Sequence, residues 1–510
     1  MLPSAAPSPQ TEPEQGPPRY IEVDRKQVVL LQRDWEGLVG PDHLARAIWS
    51  MMGQLDWSEY EKRIKSRDPM GGRPRWSPQL LASVWIYVYS QSVGSAREAE
   101  RMMDYEPGLQ WLAGGKQINY HTLADFRVCE KRVLERLMAQ VLAVLEREGM
   151  IDLSVVMQDG TKVKASAGSG SMHRRKTLEE HLEQAQQVVE ELGRKVGDPD
   201  DEKENQRKRA AKQRAARERE ERLKAALKEL DRREAQAKPK QRDQVRVSES
   251  ESEVVKMKHA DGGYAPSYNV QVMTESSHTI VVGIEVSDEA NDSGALQSGV
   301  QQVEKNTGRK PGRMVGDNGY ATRENVEAMA QAEVEFVAPW KEDQARQAGA
   351  LKRNGIDAAF GPAAFVEQPE GKSLQCPAGK QLEVVRKGKA HGLPILVYQA
   401  KAEDCPGCEH KSRCCPQRKS RRVRRVVESP AMLEYLERMK GDEIQELYKQ
   451  RKKVAEFPHL WMKALRRWDR FQVRGLAKAT KEAIWRAVAY NIEQWTRVCW
   501  RAGIGRTATA

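Results

Sequence analysis

The apolar positions divide the chain into two kinds of segment. Long stretches carry apolar residues three and four apart, and short apolar runs alternate with polar residues. The first spacing is that of amphipathic helices, the second that of strands. Helical spacing dominates from 20 to 149. Pro41-Asp42-His43-Leu44 opens a helix with Leu44, Ile48 and Met51 or Met52 inward. Ser77 followed by Pro78 is the order of a helix cap and first turn. Residues 80–89 are then apolar nearly all round, as in a core helix. Further helices begin at Ser95-Ala96-Arg97-Glu98 and Tyr120-His121-Thr122, and 132–148 is amphipathic.

Strand-like runs follow. Val155-Val156-Met157-Gln158-Asp159-Gly160-Thr161 is an apolar run that ends on Asp-Gly, and Met314-Val315-Gly316-Asp317-Asn318-Gly319-Tyr320 repeats that form. Between them, Tyr268-Asn269-Val270-Gln271-Val272 alternates as a half-exposed strand should, and 279–286 is β-branched. Asn291-Asp292-Ser293 reads as a cap for a helix with Leu296, Val300 and Val303 inward. Thr322 caps the helix after Asp317, and 334–337 is a further strand. A meander followed by β-α-β units predicts an α/β fold: a mixed sheet flanked by helices.

Two segments interrupt this pattern. After a small-residue hinge at 166–171, Leu178, Leu182, Ala185, Val189, Leu192 and Val196 form a coiled-coil-like seam that Gly197-Asp198-Pro199 breaks. A very charged helix with Leu223, Leu227 and Leu230 on one stripe follows, so 171–250 is expected to be an inserted helical hairpin. Residues 341–429 form the second insertion, and 430–498 returns to helix. The expected organisation is a tail (1–19), an all-α N-terminal domain (20–149), an α/β core in three pieces (150–170, 251–340 and 430–498) split by the two insertions, and a short tail (499–510). Glu456 and Lys463, seven apart, share a face of the last helical region, with Pro458 expected to break or kink it.

Composition refines this picture. The chain has 510 residues, 31% of them charged, with a formal net charge of +12; its mean hydropathy is −0.74 and its pI about 9.2. No run approaches the ~20 apolar residues of a membrane span. The Pro-, Ser- and Glu-rich start lacks a signal peptide's basic and apolar regions, which leads to the expectation of a cytoplasmic protein without membrane association. The positive balance favours a polyanionic partner, nucleic acid above all. The short N-terminal helices suit a helix-turn-helix-like DNA-binding module or a scaffold without DNA contacts. The dense run Arg418-Lys419-Ser420-Arg421-Arg422-Val423-Arg424-Arg425 is a candidate phosphate-binding segment.

Candidate chemistry lies in three places. Asp159 and Asp317, both at expected strand ends, suit a shared metal ion, although Asp-Gly and Asp-Asn also simply start turns. Among the seven cysteines, Cys405-x2-Cys408, Cys414 and the earlier Cys376 can close a tetrahedral four-thiolate Zn2+ site of structural type, with Cys415 an alternative to Cys414. The aromatic residues Trp461, Trp468, Phe471, Trp485, Tyr490 and Trp495 read as core.

Taken together, four stretches resemble the DDE transposases of bacterial insertion sequences, in the subgroup with an N-terminal helical domain and a cysteine-rich insert before the catalytic glutamate. They are Gly72-Arg73-Pro74 through Phe126-Arg127; Asp159-Gly160-Thr161-Lys162-Val163-Lys164-Ala165; Gly262-Gly263-Tyr264 with Tyr268-Asn269-Val270-Gln271, Asn291-Asp292 and Asp317-Asn318-Gly319-Tyr320; and Tyr448-x2-Arg451-x4-Glu456-x6-Lys463, followed by Arg474-Gly475 and Asn491. The resemblance implies an RNase H-like core with a zinc-ribbon-like insertion. It further implies three metal-binding carboxylates, Asp159, Asp317 and Glu456, holding Mg2+ or Mn2+, with Arg451, Lys463 and Tyr448 contacting or positioning DNA. Implied partners are the element's terminal inverted repeats, target DNA and a second copy of the chain. Phe457-Pro458-His459 departs from the family's Pro and Phe-Gly after the glutamate. The expected activity is metal-dependent cleavage and transfer of DNA strands. The alternatives are a non-catalytic zinc-containing DNA-binding protein derived from a transposase and an RNase H-like nuclease.

Overall fold

A computed structural model describes residues 34–62, 64, 74–194, 203–341, 344–368 and 372–501. The expected N-terminal tail, most of the basic linker, including Gly71, Gly72 and Arg73, the Gly197-Asp198-Pro199 break with Val196, and the last nine residues lie outside them.

The centre is a six-stranded mixed sheet. Its main strands are β1 (Val155–Lys164), β2 (Tyr264–Glu275), β3 (Val281–Ser287), β4 (Arg313–Val315) and β5 (Glu335–Val337). The order across the sheet is β3-β2-β1-β4-β5, with a short strand, Val255–Lys258, pairing the start of β2. β1, β2 and β3 run antiparallel, whereas β4 and β5 run parallel to β1. The meander plus β-α-β pattern is thus realised as an α/β fold.

Strand limits depart from the sequence reading in one place that matters. β1 does not stop at Asp159 but runs through Gly160 to Lys164, so Asp159 is mid-strand. Gly160 makes room rather than a turn: a Cβ there would lie 2.3 Å from Asp292 Oδ1 and 2.5 Å from Gln271 Nε2. β2 is a second correction. It is buried on both faces from Pro266 onward, so its alternation marks a polar buried face and not a half-exposed strand.

Helices cover both faces. On one side lie Leu296–Thr307, the N-terminal helices Pro78–Ser90 and Lys131–Arg147, and the C-terminal helix Leu476–Trp495. Ser77 Oγ caps the Pro78 helix by accepting from Leu80 N at 3.2 Å, in the order expected. One apolar core runs from Ala45 in the N-terminal helices through Val156, Val270 and Met314 in the sheet to Trp485 and Tyr490. Asn491 fixes the last helix to β3: its Oδ1 accepts from Val281 N at 2.9 Å and its Nδ2 donates to Val281 O at 2.8 Å. Trp461, Trp468, Phe471, Trp485, Tyr490 and Trp495 are all buried, as read from the sequence.

The other face of β1, β4 and β5 carries Met157, Val315 and Val337 under the helix Asp442–His459, which contributes Ile444, Val454 and Ala455. Pro458 does not end this helix. The chain continues through His459 into a π-helical stretch, Leu460–Leu465.

Both inserted segments leave the sheet. Helices Arg175–Arg194 and Lys203–Gln236 pair through Leu178, Ala185, Leu223, Ala226 and Leu230, while Leu192, nearer the tip, is only half-buried. The cysteine-rich segment builds its own five-stranded sheet around Phe365, Leu374, Leu382, Tyr398 and Val423. No described helix is long and apolar enough to cross a membrane.

Candidate active site

Register brings the two aspartates together. In the parallel pair, Met157 is opposite Val315. Two residues further along each chain, Asp159 and Asp317 therefore continue the same face, because side chains alternate with period two. That face is covered by the helix Asp442–His459. Asp317 follows β4 directly, and its Oδ1 accepts from Gly319 N at 2.7 Å. It therefore does start a turn, as Asp-Asn often does, while its second oxygen stays outside that bond.

Arg451 and His459 reach Asp159 from the covering helix. Arg451 Nη2 lies 2.8 Å from Asp159 Oδ1 and His459 Nε2 lies 3.6 Å from Oδ2. Burial pushes the Asp159 carboxyl up to about 6; Arg451 opposes this, and the charges of Asp317 and Asp292 add to it. Tyr448 stands in the same electrostatic neighbourhood: burial raises its hydroxyl pKa, Arg451 opposes, and Asp317 and Asp159 add. Burial, with Lys463 and Arg451 nearby, lowers His459 to about 4, leaving a neutral imidazole beside Asp159. Lys463 donates to Thr161 Oγ1 and Lys162 O, both at 3.0 Å, so its ammonium rests on β1.

Glu456 stands apart. Its side chain is exposed, and among the described residues it makes no ion pair. Five residues separate it from Arg451, about 140° around a helix. With Arg451 turned to Asp159, Glu456 lies on the flank of that face.

Sequence reasoning missed the support on the opposite face of β1. Asp292 is not a helix cap, since the following helix starts at Leu296 and Ala295 precedes it. Instead its Oδ1 accepts from Asn269 Nδ2 and Gln271 Nε2, both at 2.7 Å, and packs on Gly160. Gln271 Oε1 in turn accepts from Gln158 Nε2 at 3.0 Å and from the Tyr320 hydroxyl. This network ties β1, β2 and the turn after Asp317 into one unit. Gly160→Ala should force Asp292 and Gln271 apart and destabilise the protein by about 1–3 kcal/mol, as overpacking does. Urea unfolding checks this, and an unchanged midpoint would contradict the packing argument.

The cysteine cluster is only partly assembled. Cys376, Cys405, Cys408 and Cys414, with Cys415, line one small cavity of about 30 Å³. Lys380 N donates to Cys376 Sγ at 3.3 Å and Arg421 N to Cys405 Sγ at 3.4 Å. Burial pushes the Cys414 thiol up to about 11, with Arg421 opposing and Cys415, Cys405 and Cys376 adding to it. No three of these sulfurs lie within 4.8 Å of one another, wider than the roughly 3.8 Å spacing that tetrahedral Zn–S bonds imply.

The basic run divides by strand alternation. Arg421 is buried, donating to Phe360 O at 2.8 Å and stacking 5.3 Å from the Phe365 ring. Arg425 donates to the carbonyls of Pro362 and Phe365 at 2.9 and 2.7 Å. These two hold the insertion together, which corrects their expected place on a DNA-facing surface. Arg422 and Arg424 point outward and are exposed.

Comparison with protein families gives two matches. A model described as Transposase DDE domain matches residues 375–496, and one described as Transposase domain (DUF772) matches 33–129. The first covers the stretch with Tyr448, Arg451, Glu456 and Lys463, the second the N-terminal helices, and neither reaches Asp159 or Asp317. No curated protein matches the chain. Both matches are to transposase domains, one on either side of the sheet that holds the paired aspartates, and they support a DDE transposase of an insertion sequence.

Proposed function

We propose that this transposase cuts DNA at the ends of its element and joins them to target DNA, using divalent ions held by Asp159 and Asp317 in an RNase H-like core. The observation that carries the reading is the placement of these two aspartates on one face of neighbouring parallel strands, beneath the helix that bears Tyr448 and Arg451. The strand order, with a three-stranded antiparallel meander beside two parallel strands, supports the RNase H-like assignment. Burial raises the Asp159 pKa and the neighbouring Asp317 charge adds to it against the opposing Arg451, a condition that bound cations relieve. Hard oxygen donors favour Mg2+ or Mn2+. Such ions, paired ~4 Å apart, activate the attacking oxygen and stabilise the leaving one in phosphoryl displacement.

The residues around them have separate tasks. Arg451 neutralises Asp159 in the ion-free protein and is freed for a DNA phosphate when cations replace it. Tyr448 positions the DNA strand. Glu456 completes the carboxylate set after a rotation of its helix that turns Arg451 outward, and the π-helical segment that follows is where the helix can yield. Lys463, Arg422 and Arg424 contact phosphates. Two ends must be held at once, which calls for a homodimer in the DNA complex. The four clustered thiols hold a structural Zn2+ once they close by at least about 1 Å from the wider spacing described above.

Incubation with Mg2+ and DNA carrying the element's ends should give 3′-hydroxyl termini and joined products, both abolished by a chelator. Binding without any nicks, in Mg2+ or Mn2+, would overturn the reading in favour of a non-catalytic zinc-containing DNA-binding protein, the alternative that the exposed Glu456 favours. Nicks without joined products would point to an RNase H-like nuclease. Arg422→Ser and Arg424→Ser should each lower the salt slope of DNA binding by about one and weaken binding evenly across sequences. Arg421→Ser should instead loosen the cysteine-rich insertion and leave that slope unchanged. A fluorescence anisotropy salt series separates the two behaviours.

A further inference from the structure

We infer that His173, His181 and Glu249 form a binding site for a Zn2+-class divalent ion that clamps the root of the helical arm, distinct from both the aspartate pair and the cysteine cluster. One ligand atom from each of the three lies within 4.8 Å of the others, and among the described residues no other trio of His, Cys, Asp or Glu meets that spacing. His181 Nδ1 and Glu249 Oε2 are 2.8 Å apart. The His173 and His181 rings stand edge to face with centroids 5.1 Å apart. All three side chains are half-buried.

The site is built where the arm leaves and re-enters the core. His173 ends a two-residue strand that pairs with Val247–Ser248, so the chain entering the arm is bonded to the chain leaving it. His181 sits in the second turn of the helix Arg175–Arg194, on the side of Leu178 and Leu182, which pack against the returning helix. Glu249 follows the exit strand, and its backbone N donates to Ser171 O at 3.0 Å. Ser171 Oγ and Ser248 Oγ meet at 2.8 Å and close the same junction. The backbone frame is thus fixed by bonds that do not involve the three side chains, so these are held at the junction independently of their own contacts.

The donor set selects the ion. Two neutral imidazoles and a carboxylate suit Zn2+, and among other transition metals Co2+ or Ni2+, better than Mg2+. Tetrahedral bonds of 2.0–2.2 Å put ligand atoms about 3.3 Å apart. His173 therefore needs to close by no more than about 1.5 Å through its side chain, and the His181–Glu249 hydrogen bond gives way to two bonds to the ion. Water takes the fourth position. A cross-link between residues 173, 181 and 249 fixes the two ends of the arm to each other, in the segments that follow the strand carrying Asp159 and return from the arm, so metal occupancy sets the rigidity of the arm root.

The test uses the full chain, stripped of metal and titrated with Zn2+ by calorimetry, with bound zinc counted independently. His173→Gln and His181→Gln should each lower the zinc count by one per chain and remove the corresponding binding phase. In a Cys405→Ser, Cys408→Ser background one zinc should remain, and it should disappear when His181→Gln is added. Zinc should also slow proteolysis at the arm root in the parent and not in the His181→Gln variant. An unchanged zinc count and affinity in both histidine variants, or no zinc retained in the folded double cysteine variant, would overturn the proposal. Circular dichroism on each variant separates loss of the site from loss of the fold.

Discussion

Asp317→Asn should reduce DNA strand cleavage by at least about a thousandfold while leaving the fold and DNA binding in place. The magnitude follows from losing charge stabilisation worth several kcal/mol at phosphorus, each 1.4 kcal/mol being about tenfold in rate. The fold should survive because Asp317 follows β4, where Asn can make the same turn bond to Gly319. The electrostatics favour the variant. In the ion-free protein Asp159 sits at about 6 against an ordinary 3.8, in part because Asp317 is negative. A carboxyl held above its unfolded pKa gives its full stabilisation below pH 3.8, and that stabilisation is lost as the pH rises to 6, because only the native state still holds the proton. Removing the Asp317 charge lowers the Asp159 pKa and lessens that loss. At pH 7 without metal, Asp317→Asn should therefore melt no lower than the parent. Normal cleavage by the variant would end the catalytic assignment, and a collapsed melting temperature would make Asp317 structural.

Glu482→Ala should be the most destabilising single change, by about 3–5 kcal/mol, the range for breaking a buried ion pair from one side. Glu482 is 0% exposed and Arg486 4%. Arg486 Nη2 donates to Glu482 Oε1 at 3.0 Å, while Oε2 accepts from Gln472 N at 2.9 Å. The guanidinium is sandwiched 4.7 Å from the Tyr89 ring and 5.1 Å from the Trp468 ring. Without Glu482 a full positive charge stays in that apolar slot. The pair matters beyond its own helix, since Tyr89 belongs to the N-terminal helices and Trp468 to the segment after the Glu456 helix. Glu482→Ala should therefore loosen both ends of the chain together. The double change Glu482→Leu with Arg486→Met should recover most of the loss, because removing both charges leaves none unpaired. Urea unfolding of the two variants checks this. A double variant as unstable as Glu482→Ala would show that packing, and not the orphaned charge, sets the effect.

Much of this architecture was legible in the sequence because period and punctuation carry it. The apolar runs before Asp159 and Asp317 gave two neighbouring parallel strands, and Ser77-Pro78 and Thr322 marked helix starts that the structure keeps. What could not be read depends on which side of an element is covered. Asn269 and Gln271 alternate with valines as solvent-facing residues would, yet they are buried under Asp292. Asp292 lies before a helix as a cap would, and only the missing side chain of Gly160 reveals where it packs. The run 421–425 reads as uniformly basic, but strand alternation turns Arg421 and Arg425 inward. Glu456 shares a helix with Arg451, and only the orientation of that helix shows that one faces Asp159 and the other solvent. His173 and Glu249 are separated by the whole arm, so no local spacing could have joined them.

The most direct test of the central claim is iron-mediated backbone cleavage of the purified full chain. Fe2+ replaces Mg2+ at oxygen-rich sites, and with ascorbate and peroxide the radicals it generates cut the nearest backbone. The account predicts cuts around residues 159 and 317, suppressed by excess Mg2+ and lost in Asp317→Asn, with a further cut near 456 when DNA is bound. Cuts confined to the arm root near 173, 181 and 249, with none at the aspartates in the presence of DNA, would contradict it.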